Sequence, residues 1–154
     1  MRNTTLCYIE KDNSYLMLYR NKKNNDENAG KYVGIGGHFL ENESPYECVV
    51  REAKEETGLD ISPVYRGVVT FVSDKYECEQ MHLFTCREYS GDIITCNEGE
   101  LVYISKNELH KIPMWEGDYI FFELLGERED FFSLKLVYEG DTLVSYSIDG
   151  VKIK

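Results

Sequence analysis

The stretch SPYECVVREAKEETG, Ser44 to Gly58, fixes a helix at both ends before anything else in the chain is considered. Ser44 supplies an N-cap, Pro45 the first helical position and Glu47 the second half of a capping box, and Gly58 offers a left-handed stop. The spacing predicts a helix over 44–57. At 100° per residue, Tyr46, Val49, Val50, Ala53 and Thr57 share one side, which is assigned to the core. Cys48, Glu52, Glu55 and Glu56 share a neighbouring side, centred roughly 115° away. Like charges three and four apart repel by about a few tenths of a kcal/mol per pair, so three glutamates on one face call for compensation. The bland alternative is a solvated charged face, the norm for an isolated run of this kind.

The rest of the chain sets limits on that choice. With 154 residues, 42% apolar and 13% aromatic, it predicts one domain, 1–154, with a single core. Seventeen basic against 28 acidic residues give a net charge of -11, which argues against a nucleic-acid polymer as partner. A phosphorylated small molecule is compatible with this balance only if cations bridge it to the protein. No segment has signal-peptide form or approaches the roughly 20 apolar residues of a membrane span, which predicts a cytosolic protein with no membrane partner. The five cysteines (Cys7, Cys48, Cys78, Cys86, Cys96) show no zinc or Cys-x-x-Cys spacing and read as reduced, structural thiols.

Along the chain, TTLCYIE and SYLMLYR predict two strands around the turn KDNS, followed by the polar loop NKKNNDENAGK and a short strand KYVGIGG that enters a glycine turn. After the helix come strands at VYRGVVTFVS, ECEQMHLFTCREY and ELVYIS, a short helix at KNELHK, and a longer one from about Asp118 to Leu125. FFSLKLVYEGDTLVSYSI reads as a C-terminal β-hairpin. Tyr8, Tyr19, Phe71 and Phe84 fit alternating strand faces and are assigned to the core, and the three histidines are given no role. The order is mixed α and β.

Around the glutamates the spacing is specific. Gly37 is followed by five free positions and Glu43, then seven and Arg51-Glu52, then apolar Ala53, one free position, Glu55-Glu56, one free position, Gly58 and apolar Leu59. Seven fixed identities and two apolar requirements would coincide by chance on the order of once in a billion starting points. The pattern resembles the signature box of the Nudix hydrolases at every fixed position. NKKNNDENAGKYVGIGG, CNEGE, MWEGD and FFSLKLVYEGD extend the resemblance to the bacterial nucleoside-triphosphate branch that includes mutator-preventing 8-oxo-dGTP diphosphatases.

The resemblance implies an α+β Nudix fold, a mixed β-sheet sandwiched between α-helices. It implies Mg²⁺-dependent hydrolysis, with Mn²⁺ as a substitute, of a nucleoside triphosphate such as 8-oxo-dGTP to the monophosphate and pyrophosphate. Carboxylate oxygens suit such hard cations. Glu52, Glu55 and Glu56 would hold the metal together with a carbonyl of the Gly36-Gly37 turn, assigned to Gly37. Glu43 would buttress the site and Arg51 would orient the glutamates.

Glu98 would face the site from a loop across the cleft, with Glu100 as its rival. Glu52 is the first choice for the group that takes the proton from water, Glu98 the second. Arg20 and Lys23 would meet the phosphates and Gly36 would let the backbone approach them. Trp115, Asp118 and Phe121 would recognise the base, the aromatic by stacking and the acid by accepting hydrogen bonds. Some 8-oxo-purine enzymes carry an asparagine before the glycine that is Gly34 here, whereas this chain has Val33. Rival readings are a hydrolase of another nucleoside diphosphate derivative, such as ADP-ribose or a dinucleotide, and a non-catalytic nucleotide sensor. The partner expected is a small nucleotide, on a monomer or homodimer.

Overall fold

A computed structural model describes residues 1–21, 27–95 and 99–154, so Lys22, Lys23, Cys96 and Glu98 lie outside the described residues. Strand β1 (Arg2–Lys11) turns through Asp12 and Asn13, both with positive φ, into β2 (Ser14–Tyr19). A short β3 (Tyr32–Val33) leads through the glycine segment to helix α1 (Pro45–Thr57). Then follow β4 (Asp60–Ser73), β5 (Glu79–Ser90), β6 (Glu100–Ser105), a 3₁₀ turn at Lys106–Lys111 and helix α2 (Glu116–Glu127). Strands β7 (Phe132–Glu139), β8 (Thr142–Ile148) and β9 (Val151–Lys152) close the chain, so the expected terminal hairpin gains a short third strand.

The sheet is mixed. β1 runs parallel to β5 and β4 parallel to β7, while the remaining pairings are antiparallel. β6 covers one edge of β2 from Ser14 to Tyr19. The other edge of β2 is shared, because β1 pairs only with Ser14 to Leu16 and β3 takes Leu18 and Tyr19. Where β1 and β2 diverge, the glycine segment enters: the Thr5 N–H donates to the Gly37 carbonyl at 2.9 Å and Cys7 and Ile35 exchange hydrogen bonds in both directions.

This insertion demands a residue without a side chain. A Cβ on Gly36 would lie 1.8 Å from the Thr5 carbonyl oxygen. The glycine turn is thus fixed by close backbone approach.

Each face of the sheet carries a helix. Cys7, Ile9, Leu16, Leu18, Ile35 and Phe84 pack with Val49 and Ala53 of α1, and the opposite face buries Tyr8, Met17, Val69, Leu83 and Leu134 against Phe121, Phe122 and Leu125 of α2. Burying each such side chain contributes about 1.5–3 kcal/mol before the entropy of ordering is subtracted.

Helix α1 begins and ends as its sequence predicts. The Ser44 hydroxyl accepts from the Glu47 N–H at 3.1 Å, the Glu47 carboxylate accepts from the Ser44 N–H at 2.9 Å, and Gly58 adopts φ 81°. Its buried face differs from the expected one. Val49, Ala53 and Thr57 are buried, but Tyr46 and Val50 are 49% and 39% exposed, and Cys48 and Glu56 are buried in their place. The helix is rolled toward the glycine segment, where Cys48 Sγ meets Thr5 Oγ1 at 3.5 Å and the Glu56 carboxylate meets the Gly36 N–H.

Candidate active site

Arg51 organises the acidic side of α1. Its Nε donates to Glu43 Oε2 at 2.7 Å and its Nη2 to Glu43 Oε1 at 3.0 Å, a two-pronged pair. Nη1 donates to Glu52 Oε1 at 2.9 Å and to Glu55 Oε2 at 3.2 Å, and Nη2 also reaches the His38 carbonyl oxygen at 3.1 Å. One guanidinium therefore fastens two helix glutamates to the loop before the helix. The Arg51 hydrogen bonds hold the Glu43 carboxyl down at about 2, and those to Glu43 push Arg51 further up from its already high value.

Glu56 is held separately, its Oε2 accepting from the Gly36 N–H at 2.9 Å. Gly37 lies so close to Glu52 that a Cβ there would come within 2.6–2.8 Å of the Glu52 carboxyl atoms. Glu52 and Glu56 open into the main cavity, whereas Glu55, with a side chain 59% exposed, sits on its outer rim.

Three carboxyl groups around one guanidinium and a fourth, Glu56, on the adjoining backbone turn form, at the cavity mouth, an oxygen-donor set that suits a hard divalent cation. Among the described residues no three acid, histidine or cysteine side chains already converge on one point.

The cavity, about 580 Å³, is lined by Glu52, Glu56 and the Gly36-Gly37 turn together with Arg20, Trp115 and Asp118. That volume is typical of small-molecule sites. The Trp115 indole stands edge-on to Phe71, Tyr76 and Tyr138 at 5.2–5.8 Å, donates from Nε1 to Asn28 Oδ1 at 2.8 Å, and carries the Lys31 ammonium 4.7 Å from its ring centre. Asp118 is buried at the start of α2 and lines the cavity. Burial pushes its carboxyl up to about 8, with Lys31 pulling weakly the other way.

A NUDIX domain model matches residues 1–125 of the chain. The chain belongs to the Nudix family. An uncharacterized Nudix hydrolase, YvcI, from Bacillus subtilis is 28% identical over the whole chain and 98% of its own length. The oxidized purine nucleoside triphosphate hydrolase of Mus musculus is 29% identical over 78% of each chain. Among solved structures, a mutator MutT protein from Bacillus halodurans superposes with a TM-score of 0.85 at 26% identity, covering 97% of this chain and 98% of that one. Nudix hydrolases act on pyrophosphate bonds of small nucleotide substrates and in general use divalent metals.

The Nudix glutamates, Gly36, Gly37, Arg20, Trp115 and Asp118 are thus brought to one cavity or its rim. Phe121 is not. It is fully buried, against the Tyr8 and Phe122 rings, because it falls on the face of α2 that meets the sheet. Lys23 and Glu98 fall outside the described residues, and Glu100 is exposed at the start of β6.

Two residues of the Nudix cavity, Tyr8 and Glu79, and a third beside it, Lys31 over the Trp115 ring, carried no sequence signal of their own. Tyr8 alternates with core residues of β1 and Lys31 ends a polar loop. Glu79 opens β5 and is pushed up to about 7 by burial and then by Glu27, with His38 Nε2 3.6 Å away.

Asp118 makes the protein's stability depend on pH. The folded state keeps a proton that the unfolded chain releases above about 3.8, so stability falls as pH rises from there toward 8 and then levels off. The component amounts to several kcal/mol at most, at about 1.4 kcal/mol per unit. Asp118→Asn is expected to flatten the decline between about pH 5 and 8 in denaturant unfolding. Equal slopes for the two proteins would mean that the carboxyl is not desolvated.

Proposed function

We propose that this Nudix protein hydrolyses a purine nucleoside triphosphate, with 8-oxo-dGTP as the leading candidate, to the monophosphate and pyrophosphate, and so cleans the nucleotide pool of damaged precursors. The observation that carries the reading is the continuity of the cavity. Carboxylates suited to a cation and an aromatic ring with a buried acid, suited to a base, line the same cavity.

Glu52, Glu55, Glu56 and the Gly37 carbonyl would hold Mg²⁺, which when bound neutralises phosphate oxygens and activates water. Arg51 keeps Glu52 and Glu55 in place through hydrogen bonds of 2.9 and 3.2 Å. Arg20 lies where a phosphate chain would run toward the glutamates. Glu52 takes the proton as water attacks phosphorus, and the Gly36-Gly37 backbone admits the anhydride closely because no Cβ intervenes. Trp115 offers its ring to the base and Asp118 accepts from the base edge. The mouse and zebrafish relatives named oxidized purine nucleoside triphosphate hydrolases favour this substrate class over diphosphate-linked ones.

Pyrophosphate release from dGTP, 8-oxo-dGTP, dATP, dCTP, ADP-ribose and a dinucleoside polyphosphate, with and without Mg²⁺, tests the reading. Mg²⁺-dependent turnover that favours 8-oxo-dGTP supports it, and turnover of the diphosphate-linked compounds alone overturns it. In the same panel Asp118→Ala is expected to raise KM for purine triphosphates about tenfold or more and leave dCTP little changed. An equal effect on both classes would take Asp118 out of base recognition.

A further inference from the structure

Two tyrosines border the base end of the cavity, and their hydroxyls are treated differently. The Tyr138 hydroxyl accepts from the Gly117 N–H at 2.7 Å. The Tyr8 hydroxyl is fully buried: the Gly34 N–H approaches its oxygen without reaching good hydrogen-bond geometry, and among the described residues no acceptor takes its own hydrogen. Its ring is locked by Tyr15, Phe121 and Phe122 at centroid distances of 4.6–5.8 Å, and a Cβ on Gly34 would approach Tyr8 Cζ to 2.8 Å.

The hydroxyl cannot swing away to find water. A buried polar group left unpaired costs about 1–3 kcal/mol, and the orphans that persist in folded proteins call for an explanation. Tyr8 lines the cavity together with Val33, Gly34 and Asp118. Val33 contributes no side-chain hydrogen bond.

We propose, building on the purine triphosphate reading, that the Tyr8 hydroxyl is a specificity-determining group that donates to the 6-oxo oxygen of a 2-amino-6-oxopurine while Asp118 accepts from the adjacent N1–H and 2-amino group. Once the purine's N–H donors favour the ionised Asp118 carboxylate over the protonated form that burial favours in the empty cavity, the two side chains together present one donor and a pair of acceptors. The Watson–Crick edge of guanine, and of its 8-oxo derivative, presents the complement, an acceptor followed by two donors. An adenine edge offers a donor and an acceptor instead, and satisfies neither side chain fully.

The test is a substrate–variant cycle with Tyr8→Phe, which removes one oxygen and keeps the ring. For dGTP and 8-oxo-dGTP the variant is expected to raise KM about tenfold with kcat within twofold. For 2-aminopurine deoxyriboside triphosphate, which has no group at position 6, KM is expected to stay within twofold. The melting temperature without nucleotide should stay within about 4 °C, because the deleted hydroxyl gives up only the poorly aligned Gly34 N–H.

Equal KM changes for both substrate types, unchanged KM for dGTP, or a melting temperature lowered by more than about 4 °C would each overturn the proposal. Calorimetric binding of dGMP to both proteins separates the two levels of inference. Weaker dGMP binding by the variant, with no triphosphate turned over by the wild type, would sustain Tyr8 and sink the triphosphatase reading. Equal dGMP binding by both proteins, or none by either, would sink the Tyr8 proposal whatever the turnover.

Discussion

Glu56→Gln is expected to lower kcat by about 10²–10⁴-fold while moving the melting temperature by only a few degrees. Glutamine keeps an oxygen that can accept from the Gly36 N–H, now 2.9 Å from Glu56 Oε2, so the turn beneath the helix keeps its anchor. What disappears is a negative charge at the cavity mouth. Glu55→Gln is expected to lose most turnover with an even smaller structural effect, because the Glu55 carboxylate sits at the exposed rim beside Arg51. Pyrophosphate release across a Mg²⁺ titration, alongside thermal melting, reads both. Wild-type kcat in either variant would remove that glutamate from the metal helix.

The paired glycines should separate stability from activity. In Gly36→Ala the new methyl would lie 1.8 Å from the Thr5 carbonyl oxygen and 2.6 Å from its carbon, and Thr5 is fixed in β1, so the backbone has no cheap way to yield. A loss of about 3 kcal/mol or more, or outright failure to fold, is expected. In Gly37→Ala the methyl instead meets the Glu52 carboxyl, the movable end of a flexible side chain. That variant should fold within about 1 kcal/mol of the wild type and lose about a hundredfold in kcat, the usual consequence of displacing a reacting group by about an ångström. Chemical denaturation and steady-state kinetics on the two variants decide it, and the reverse pattern would refute the assignment of Glu52.

Helix α1 was legible to the residue because its ends are set by local chemistry: a cap, a proline and a glycine. Its buried face was less so. Tyr46 and Val50 are apolar by type, but what a helix buries depends on what lies beneath it, and here that is the glycine segment that claims Cys48 and Glu56. The parallel pairings of β1 with β5 and β4 with β7 join segments more than 60 residues apart and leave no trace in strand periodicity. The glutamates of the Nudix box could be found because their spacing is contiguous. Tyr8 could not, because a lone aromatic in an alternating strand looks like core, which its ring is, and only the folded chain brings its hydroxyl end against Gly34 in the cavity wall.

Strand β1 acts as a partition between two compartments. Thr4, Leu6 and Tyr8 line the cavity, while Cys7 and Ile9 sit beneath the helix that carries the glutamates and Thr5, at the mouth, touches both the cavity and Cys48 of that helix. Side chains alternate with strict period two, so a single-residue insertion in β1 would exchange the tenants of both compartments at once. Length variation in this fold should therefore be tolerated in the loops around the sheet and be lethal within ten consecutive residues, Arg2 to Lys11, whatever side chains they carry.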